Sequence, residues 1–340
     1  MKGFSLSWLL VLLLSWSLLC GAGSADILGN ELVTTTPVVN DGVLYVASFS
    51  EPERFAHLRA IDIYETFPLQ LWDAAEKVPL PGVGASPGEF HDSDPPARIA
   101  RNNIYRSLFT NLETELVPLV GAAATRLQAA LDSPSLLTAE SLIHTARGRR
   151  GATAENVIGS ADEPLRLWAI SRSSPALVGR NSQLAIMAER DRVLYAGAED
   201  GMLHAFYTGR WSSESRAYIT DESVAGVELW AYLPGTFLPH LQAQPFVEPT
   251  RPVAVHLDGS PAVGDFFLDL DNDGYRSWRT LLVATGTVTI TGRSCLFGLD
   301  ITDPYQPQLV WERLLPGDRV GRTRGVTLDF SARSQETAQL

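Results

Sequence analysis

A short acidic segment, Asp269–Ser277, holds the residues of this chain best suited to bind a cation. Its carboxylates stand at alternate positions, so that they can turn toward one centre, and Gly274 permits the sharp bend that such a loop needs. Oxygen ligands in this spacing are typical of a loop that binds Ca²⁺. The predicted ligands are Asp269, Asp271, Asp273, the carbonyl of Tyr275 and the hydroxyl of Ser277.

The segment departs from an EF-hand at its twelfth position, where Thr280 stands in place of a bidentate glutamate. It also joins predicted strands, whereas an EF-hand loop joins helices. A remote carboxylate such as Asp265 would have to complete the ligand shell, or the affinity would be modest, about 10⁻⁴–10⁻³ M. The alternative is a solvated hairpin tip that holds no metal, and the sequence leaves both open.

The acidic segment lies inside a cassette that the chain spells three times, so the fold that positions it is repetitive. Each copy has an apolar strand and a second strand, and it closes on a tryptophan that follows an apolar residue. The first strands are 43–47, 193–197 and 281–284, the second strands are 58–62, 203–206 and 296–300, and the closing tryptophans are Trp72, Trp230 and Trp311. A hydroxyl residue and a proline precede the copies, at Thr36-Pro37, Ser174-Pro175 and Ser260-Pro261.

Repeats of short strands with a closing tryptophan are typical of four-stranded propeller blades. We therefore predict an all-β fold, a partial β-propeller-type array of about three to four blades with a helical insertion. Asp200-Gly201, between two apolar strands, predicts a hairpin turn in the second copy. Closed propellers usually have about four to eight blades, so either another chain completes the ring or the chain is a fragment.

The helical insertion is predicted from a change of hydrophobic period between the first two copies of the cassette. Apolar residues recur there at helical spacing, and Pro118 would divide them between two short helices. Ser133 or Ser135 can cap a further helix through Thr145, and a separate domain is the alternative to an insertion. The residues at helical spacing are Leu108, Leu112, Leu116 and Leu119. The predicted division is a signal peptide at 1–25, a first blade at 26–74, a loop and helical insertion at 75–160, blades at 161–330 and a disordered tail at 331–340.

Composition indicates an exported globular protein. The chain is 45% apolar and 19% charged, and its formal charge of −12 argues against nucleic acid or an anionic membrane surface as a partner. Lys2, the apolar run Leu9–Leu19 and the small residues 23–25 predict a secretory signal, after whose cleavage no transmembrane helix is expected. Cys20 leaves with the signal, and Cys295 is predicted to be a buried thiol that cannot form an internal disulfide.

The sequence lacks the usual marks of an active site. Its histidines are scattered without zinc-ligand spacing, and each is predicted to be a surface or hydrogen-bonded core residue. A nucleophile elbow of the G-x-S-x-G type and a glycine-rich phosphate loop are both absent from the sequence. The three repeated tryptophans are predicted to pack between blades. The histidines are His57, His91, His144, His204, His240 and His256.

One stretch of the chain, Arg192–Phe206, resembles the signature of the PilY/PilC family of type IV pilus biogenesis factors and tip adhesins. Further stretches resemble the same family, and together they cover about 165–330 in the family's order. They are Ser173–Gly179, His256–Asp265, Trp278–Val283 and Leu299–Pro304. The resemblance implies the C-terminal propeller domain of a secreted pilus factor, found in the periplasm, at the outer membrane or on the cell surface.

The resemblance also implies partners. Such proteins act with pilins, minor pilins or other pilus assembly proteins, oppose pilus retraction and contribute to adhesion to a host or surface ligand, to surface sensing and to twitching motility. The chain departs from the family in its shorter length, in lacking a von Willebrand-type adhesive domain, and at 283–292, where the family has a glycine-richer hairpin. The family's calcium loop lies in a later blade than Asp269–Ser277, so Ca²⁺ binding is predicted here from the residues alone.

Three hypotheses about function follow from the sequence. The first is a non-enzymatic pilus biogenesis or adhesin-like protein whose blade-rim loops bind partners, one of them organised by Ca²⁺. The second is a periplasmic quinoprotein-like oxidoreductase, because the blades of such enzymes also repeat two strands and a tryptophan. The third is a truncated propeller fragment that folds poorly.

Overall fold

The computed structural model describes residues 31–51, 54–64, 68–77, 106–147, 167–244, 252–270 and 273–315. The predicted signal peptide, the predicted tail and Asp271 lie outside these residues. Within the described ranges, no helix combines the length and the apolar character that crossing a membrane requires.

The described residues form mostly β-sheet. The strands are β1 (Val38–Asn40), β2 (Val43–Phe49), β3 (Phe55–Asp62), β4 (Leu69–Asp73), β5 (Leu108–Leu112), β6 (Glu115–Pro118), β7 (Leu167–Trp168), β8 (Ala176–Val178), β9 (Arg192–Gly197), β10 (Leu203–Ser212), β11 (Ala217–Ile219), β12 (Glu228–Leu233), β13 (Val255–His256), β14 (Ala262–Leu268), β15 (Ser277–Val288), β16 (Arg293–Asp300) and β17 (Gln308–Leu314). The α-helices are α1 (Ala124–Leu127) and α2 (Leu136–Ala146), and 3₁₀ segments cover Ala74–Glu76, Gly121–Ala123, Ala185–Met187 and Gly235–Ala243.

Each copy of the cassette forms the antiparallel centre of one sheet. Sheet I has the order β1-β2-β3-β4, with β7 added to β3. Sheet II contains β8-β9-β10-β12, extended by β5 and β6, with β11 on β10. Sheet III contains β14-β15-β16-β17, with β13 also on β15. The mostly β architecture agrees with the prediction from sequence, whereas closure into a propeller stays a prediction.

The three sheets repeat in register as well as in strand order. Each tryptophan lies opposite a small residue of the neighbouring strand, at Ala60, Ala205 and Gly298. A β-bulge follows at the same place in every sheet, because the apolar residue before the tryptophan is skipped in the pairing. The skipped residues are Leu71, Leu229 and Val310. The closing Leu-Trp or Val-Trp of the sequence is therefore the mark of this bulge.

Two hydrophobic cores lie between neighbouring sheets. One core joins Trp72 and Tyr45 of sheet I to Leu194 and Phe206 of sheet II. The larger core joins sheet II to sheet III and also receives the helices. Trp72 and Trp230 are 3% and 1% exposed, so packing between sheets is their role, as predicted. Cys295 is buried in the larger core as a free thiol, also as predicted.

The predicted helix over residues 108–119 is wrong. This stretch is the hairpin β5–β6, which turns at Glu113 with a positive φ of 57°. Its strand β5 pairs in parallel with β12, and β6 is the edge strand of sheet II. Leucines at spacings of three and four fit a helix, but they also fit two short strands around a tight turn. Hydrogen bonding to β12 stabilises the strands here.

The helix predicted after Ser135 is present as α2. The Ser135 side chain accepts a hydrogen bond from the Thr138 amide, which is the expected N-cap. The helix ends at Arg147, whose guanidinium is 1% exposed and donates to the carbonyls of Leu119 and Arg106. Arg147 thereby ties α2 to both ends of the β5–β6 hairpin.

Candidate functional site: an acidic hairpin and a buried ion network

The predicted cation loop is the tip of the hairpin between β14 and β15. The Asp269 carboxylate accepts hydrogen bonds from the amides of Asp273 and Gly274, at 3.2 and 3.0 Å. Asp273 accepts one from the Tyr275 amide at 2.8 Å, and Gly274 has a φ of 87° with open space around it. These carboxylates therefore shape the turn first, as Asp side chains commonly do.

The hairpin retains oxygen atoms that suit a hard cation. A carboxylate offers about four lone-pair sites, and the hydrogen bonds within the turn use two of them on Asp269 and one on Asp273. The Ser277 hydroxyl accepts a hydrogen bond from Arg279 at 2.9 Å. Among the described residues, no three His, Cys, Asp or Glu side chains come close enough to hold a metal. A site at this tip therefore needs Asp271, which lies outside the described residues.

Asp265 is not positioned to complete this ligand shell. Its carboxylate accepts hydrogen bonds from Asn181 at 2.8 Å and from the Thr280 hydroxyl at 2.5 Å. It lies opposite Thr280 in the β14–β15 ladder, three pairs before the pair of Leu268 and Ser277 where the loop begins. At about 3.3 Å per residue, this places Asp265 about 10 Å down the hairpin from the tip.

Exposed aromatic side chains flank the acidic tip. Phe267 and Trp278 form a cross-strand pair with ring centroids 5.5 Å apart, and they are 51% and 40% exposed. Tyr275, at the tip itself, is 80% exposed. The sequence motif consists of oxygen ligands, but the hairpin also exposes these three aromatic rings, which can contact a partner. In the sequence, the alternation of side chains along β14 and β15 was the feature that could have shown Phe267 and Trp278 to share one face.

A buried ion network for which the sequence has no motif connects strands of sheet II. Arg106 donates two hydrogen bonds of 2.8 Å to Glu228, which also lies 2.7 Å from Nδ1 of His204. The other ring nitrogen of His204 lies 3.2 Å from Asp200. The side chains of all four residues are at most 7% exposed. The prediction that His204 is a hydrogen-bonded core residue is confirmed.

The network fixes the protonation states of its members. Burial alone would lower the pKa of His204, but the carboxylates of Asp200 and Glu228 outweigh it and raise this pKa to about 9. Burial would raise the pKa of Glu228, but Arg106 and His204 hold it well below the usual range. A charged histidine between two carboxylates therefore ties the turn before β10 to the start of β12.

The charge on His204 should make stability depend on pH. The folded pKa of about 9 lies above the unfolded value of about 6.5, so the stabilisation is complete below pH 6.5 and is lost as the pH rises through 9. We expect the free energy of unfolding to fall by about 3 kcal/mol over this window. Urea unfolding between pH 6 and pH 9.5 measures this change. His204→Gln should be less stable at pH 6 and flatter across the window, and an equal slope in both proteins would contradict the assignment.

A second group of charges lines a narrow recess between the end of β9 and the segment that follows β13. Glu199 accepts hydrogen bonds from both Arg54 and Ser171, and His256 lies 3.4 Å from Asp258. Burial would raise the pKa of Asp258, but its contacts with His256 lower it. The recess is too narrow to hold a water molecule, so its charged groups are paired with one another.

Comparison with known proteins shows partial similarity to pilus factors. Over 129 residues, 38% of this chain, the sequence is 31% identical to a type IV pilus biogenesis factor PilY1 homolog of Xylella fastidiosa. Over 163 residues, 42% of this chain, it is 30% identical to the type IV pilus biogenesis factor PilY1 of Pseudomonas aeruginosa. The matches span only 8% and 12% of those two relatives. No family model and no solved structure matches the sequence.

Proposed function

We propose that this chain belongs to an exported, non-enzymatic factor of type IV pili that acts in pilus assembly, adhesion or twitching motility. The observation that carries the proposal is the 28–31% identity to proteins named type IV pilus biogenesis factor PilY1. The proposed partners are pilins, minor pilins or other pilus assembly proteins. The proposed location is the periplasm, the outer membrane or the pilus itself.

The fold that we propose for this role is a β-propeller-type array. Its support is the repetition of strand order, tryptophan position and β-bulge in sheets I, II and III. Such an array would present hairpin tips at its rim, and the acidic tip with Phe267 and Trp278 is the contact surface that we assign to a partner. Exposed aromatic rings of this kind are typical anchors of interaction surfaces.

The proposed role is tested by shearing surface pili from cells that produce the protein and probing the pilus fraction for it. We expect recovery with the pili, at a level well above that of a periplasmic marker protein. A double variant, Phe267→Ser with Trp278→Ser, should fold normally but be depleted from the pilus fraction. A wild-type protein that stays wholly in the soluble periplasm would contradict the proposal.

We further propose that the acidic tip binds Ca²⁺ through Asp269, Asp271, Asp273, the carbonyl of Tyr275 and Ser277. The turn seen at Asp269 and Gly274 supports it, because the same bend brings alternate side chains toward one centre. Without a cation, carboxylates so close together would repel one another. In a loop that lacks disulfides, the ion would act as a structural staple.

Titration of the calcium-free protein tests this site. We expect one Ca²⁺ with a Kd of about 10⁻⁴–10⁻³ M, and at least a tenfold weaker value for Asp269→Asn with Asp273→Asn. Asp221→Asn is the matched control, because Asp221 is an exposed aspartate that accepts the Ser223 amide in a similar turn. Equal calcium binding by the double variant and the control would overturn the assignment.

A further inference from the structure

Two half-buried arginines beside sheet II, Arg180 and Arg190, form no ion pair with any carboxylate that the structure describes. The nearest carboxylates along the chain pair with neither, since Glu189 is exposed and Asp191 accepts a hydrogen bond from the Tyr305 hydroxyl at 2.6 Å. Arginines at comparable or greater depth elsewhere do pair with carboxylates, and these are Arg54, Arg59, Arg106, Arg192 and Arg279. Within the described ranges, the charges of Arg180 and Arg190 are therefore uncompensated, although the chain as a whole has a formal charge of −12.

The guanidinium of Arg180 is held in one orientation. Its Cζ lies 3.8 Å from the centroid of the Trp211 ring, so the charged group stacks on the indole. Its Nε donates to the carbonyl of Ala188 at 2.9 Å. The two Nη atoms have no acceptor among the described residues. They form the end of a planar fork that suits the two oxygens of an oxyanion.

The hairpin of β10 and β11 supports this arginine. Trp211 and Tyr218 lie opposite each other on the two strands, with ring centroids 5.3 Å apart in an edge-on contact. The Tyr218 hydroxyl accepts a hydrogen bond from the Arg180 amide and donates one to the Arg190 carbonyl, so it ties the chain before β9 to the hairpin. A side chain at Gly179 would collide with this hydroxyl, so the close approach requires glycine there.

The surroundings of Tyr218 are positively charged. The Cζ of Arg192 lies 4.4 Å from the centroid of the Tyr218 ring. Burial raises the pKa of the Tyr218 hydroxyl, and the amide of Arg180 and three guanidinium charges oppose that rise. The three charges belong to Arg180, Arg190 and Arg192. Of these, Arg192 alone has a carboxylate partner among the described residues, the exposed Asp41 at 3.4 Å. This surface therefore attracts anions.

We propose that the free end of the Arg180 guanidinium binds a carboxylate from an acidic segment of another protein. Its two Nη atoms match the two oxygens of one carboxylate in a bidentate ion pair. Because the Trp211 indole covers one face of the guanidinium, little side-chain order is lost when the pair forms. The inference goes beyond the proposed role in pili and depends neither on that role nor on the Ca²⁺ site.

A carboxylate fits this place better than a phosphate does. A phosphate has further oxygens that need donors, but the neighbouring guanidinium is engaged, since Arg190 donates to the Gly179 carbonyl and to the Thr280 hydroxyl. A protein segment also gains contacts that a free anion does not make. Ile186, two residues before Ala188, is 66% exposed and offers it apolar surface. Arginine, tryptophan and tyrosine are moreover the side chains that most often anchor protein interfaces.

Calorimetric titration of the purified protein with a blocked peptide of two glutamates flanked by leucines tests the proposal. At a salt concentration of about 0.1 M, we expect a Kd of about 10⁻⁴–10⁻³ M, because the site offers one bidentate pair in a partly exposed place. The matched peptide with glutamines should bind at least tenfold more weakly. The net negative charge of the chain works against unspecific binding of an acidic peptide, so binding reports a local site.

Variants of Arg180 separate the fork from the charge. Arg180→Gln should weaken binding of the glutamate peptide at least tenfold, and Arg180→Lys, which keeps the charge but removes the fork, at least threefold. Arg216→Gln is the matched control and should bind as the wild type does, because Arg216 is an exposed arginine between β10 and β11. Thermal melting checks that each variant is folded, and Arg180→Lys carries the comparison if Arg180→Gln is not.

Three results would overturn the proposal. The first is equal binding of the glutamate and glutamine peptides, or no binding of either. The second is equal binding of the glutamate peptide by the Arg180 variants and by Arg216→Gln. The third comes from a titration with inorganic phosphate, which should bind more weakly than the glutamate peptide. Tighter binding of phosphate that is lost in Arg180→Gln would identify a phosphate site in place of a carboxylate site.

Discussion

Replacement of Glu228 by alanine should destabilise the folded protein by about 3–5 kcal/mol. The carboxylate accepts two hydrogen bonds from Arg106 and contacts the charged ring of His204, and all three side chains are at most 7% exposed. Its loss leaves two positive charges in a buried space with only Asp200 to compensate them. Such uncompensated charges cost far more than the pair itself contributes. Urea unfolding at pH 6, followed by tryptophan fluorescence, measures the loss.

Two further variants separate charge from shape at this position. Glu228→Gln keeps the volume and can still accept a hydrogen bond, but it should also be strongly destabilised, because the charge is gone. Adding Arg106→Met to Glu228→Ala should restore part of the stability, since one unpaired charge is then removed with its partner. If the free energy of unfolding of Glu228→Ala lies within about 1 kcal/mol of the wild-type value, the network does not hold buried charges and the assignment fails.

Replacement of Trp230 by alanine should cost about 3–5 kcal/mol, while Trp311→Ala should cost about 1 kcal/mol. Both tryptophans occupy the same place in their sheets, opposite Ala205 and Gly298. Trp230 is 1% exposed, packs on Tyr195 with ring centroids 5.8 Å apart and donates to Pro304. Trp311 packs over Gly298 and is half-buried.

The comparison is informative because the two substitutions are chemically identical. Both variants should be unfolded at the same low protein concentration, about 1 µM, so that association between copies does not differ between the two measurements. At this concentration the difference between the two variants reports how much of the tryptophan's contribution needs a following sheet. Equal losses would mean that residues of the same chain cover Trp311 as fully as sheet III covers Trp230.

The repeated sheets could be predicted because their signals are local. Alternating apolar strands, the Asp200-Gly201 turn and a closing tryptophan all lie within about thirty residues of one another. The structure adds the reason for the tryptophan's neighbour, since Leu71, Leu229 and Val310 are the residues skipped at each bulge. A bulge is not visible in hydrophobic pattern alone, because it changes register rather than composition.

The hairpin β5–β6 could not be predicted because its stability comes from a distant strand. Leu108 and Phe109 pair with Ala231 and Tyr232, more than a hundred residues away, and in parallel. Local spacing favoured a helix, and nothing nearby pointed to strands. Tertiary pairing commonly overrides such local preferences.

The candidate sites divide in the same way. The turn at Asp269 was visible in the sequence because all of its hydrogen bonds are made within six residues. The network around His204 was not, since Glu228 is 24 residues away and Arg106 reaches Glu228 across 122 residues. A histidine and a glutamate within otherwise apolar strands were its only local signs.

The buried thiol of Cys295 makes this protein its own unfolding reporter. Its side chain is 0% exposed within the larger core, and burial raises the pKa of the thiol well above the usual range. A thiol reagent therefore reacts with Cys295 only when sheet III opens, and the labelling rate measures how often this opening occurs. Mass spectrometry can follow the labelled fraction of Cys295 in whole cells, with no tag and no dye attached beforehand.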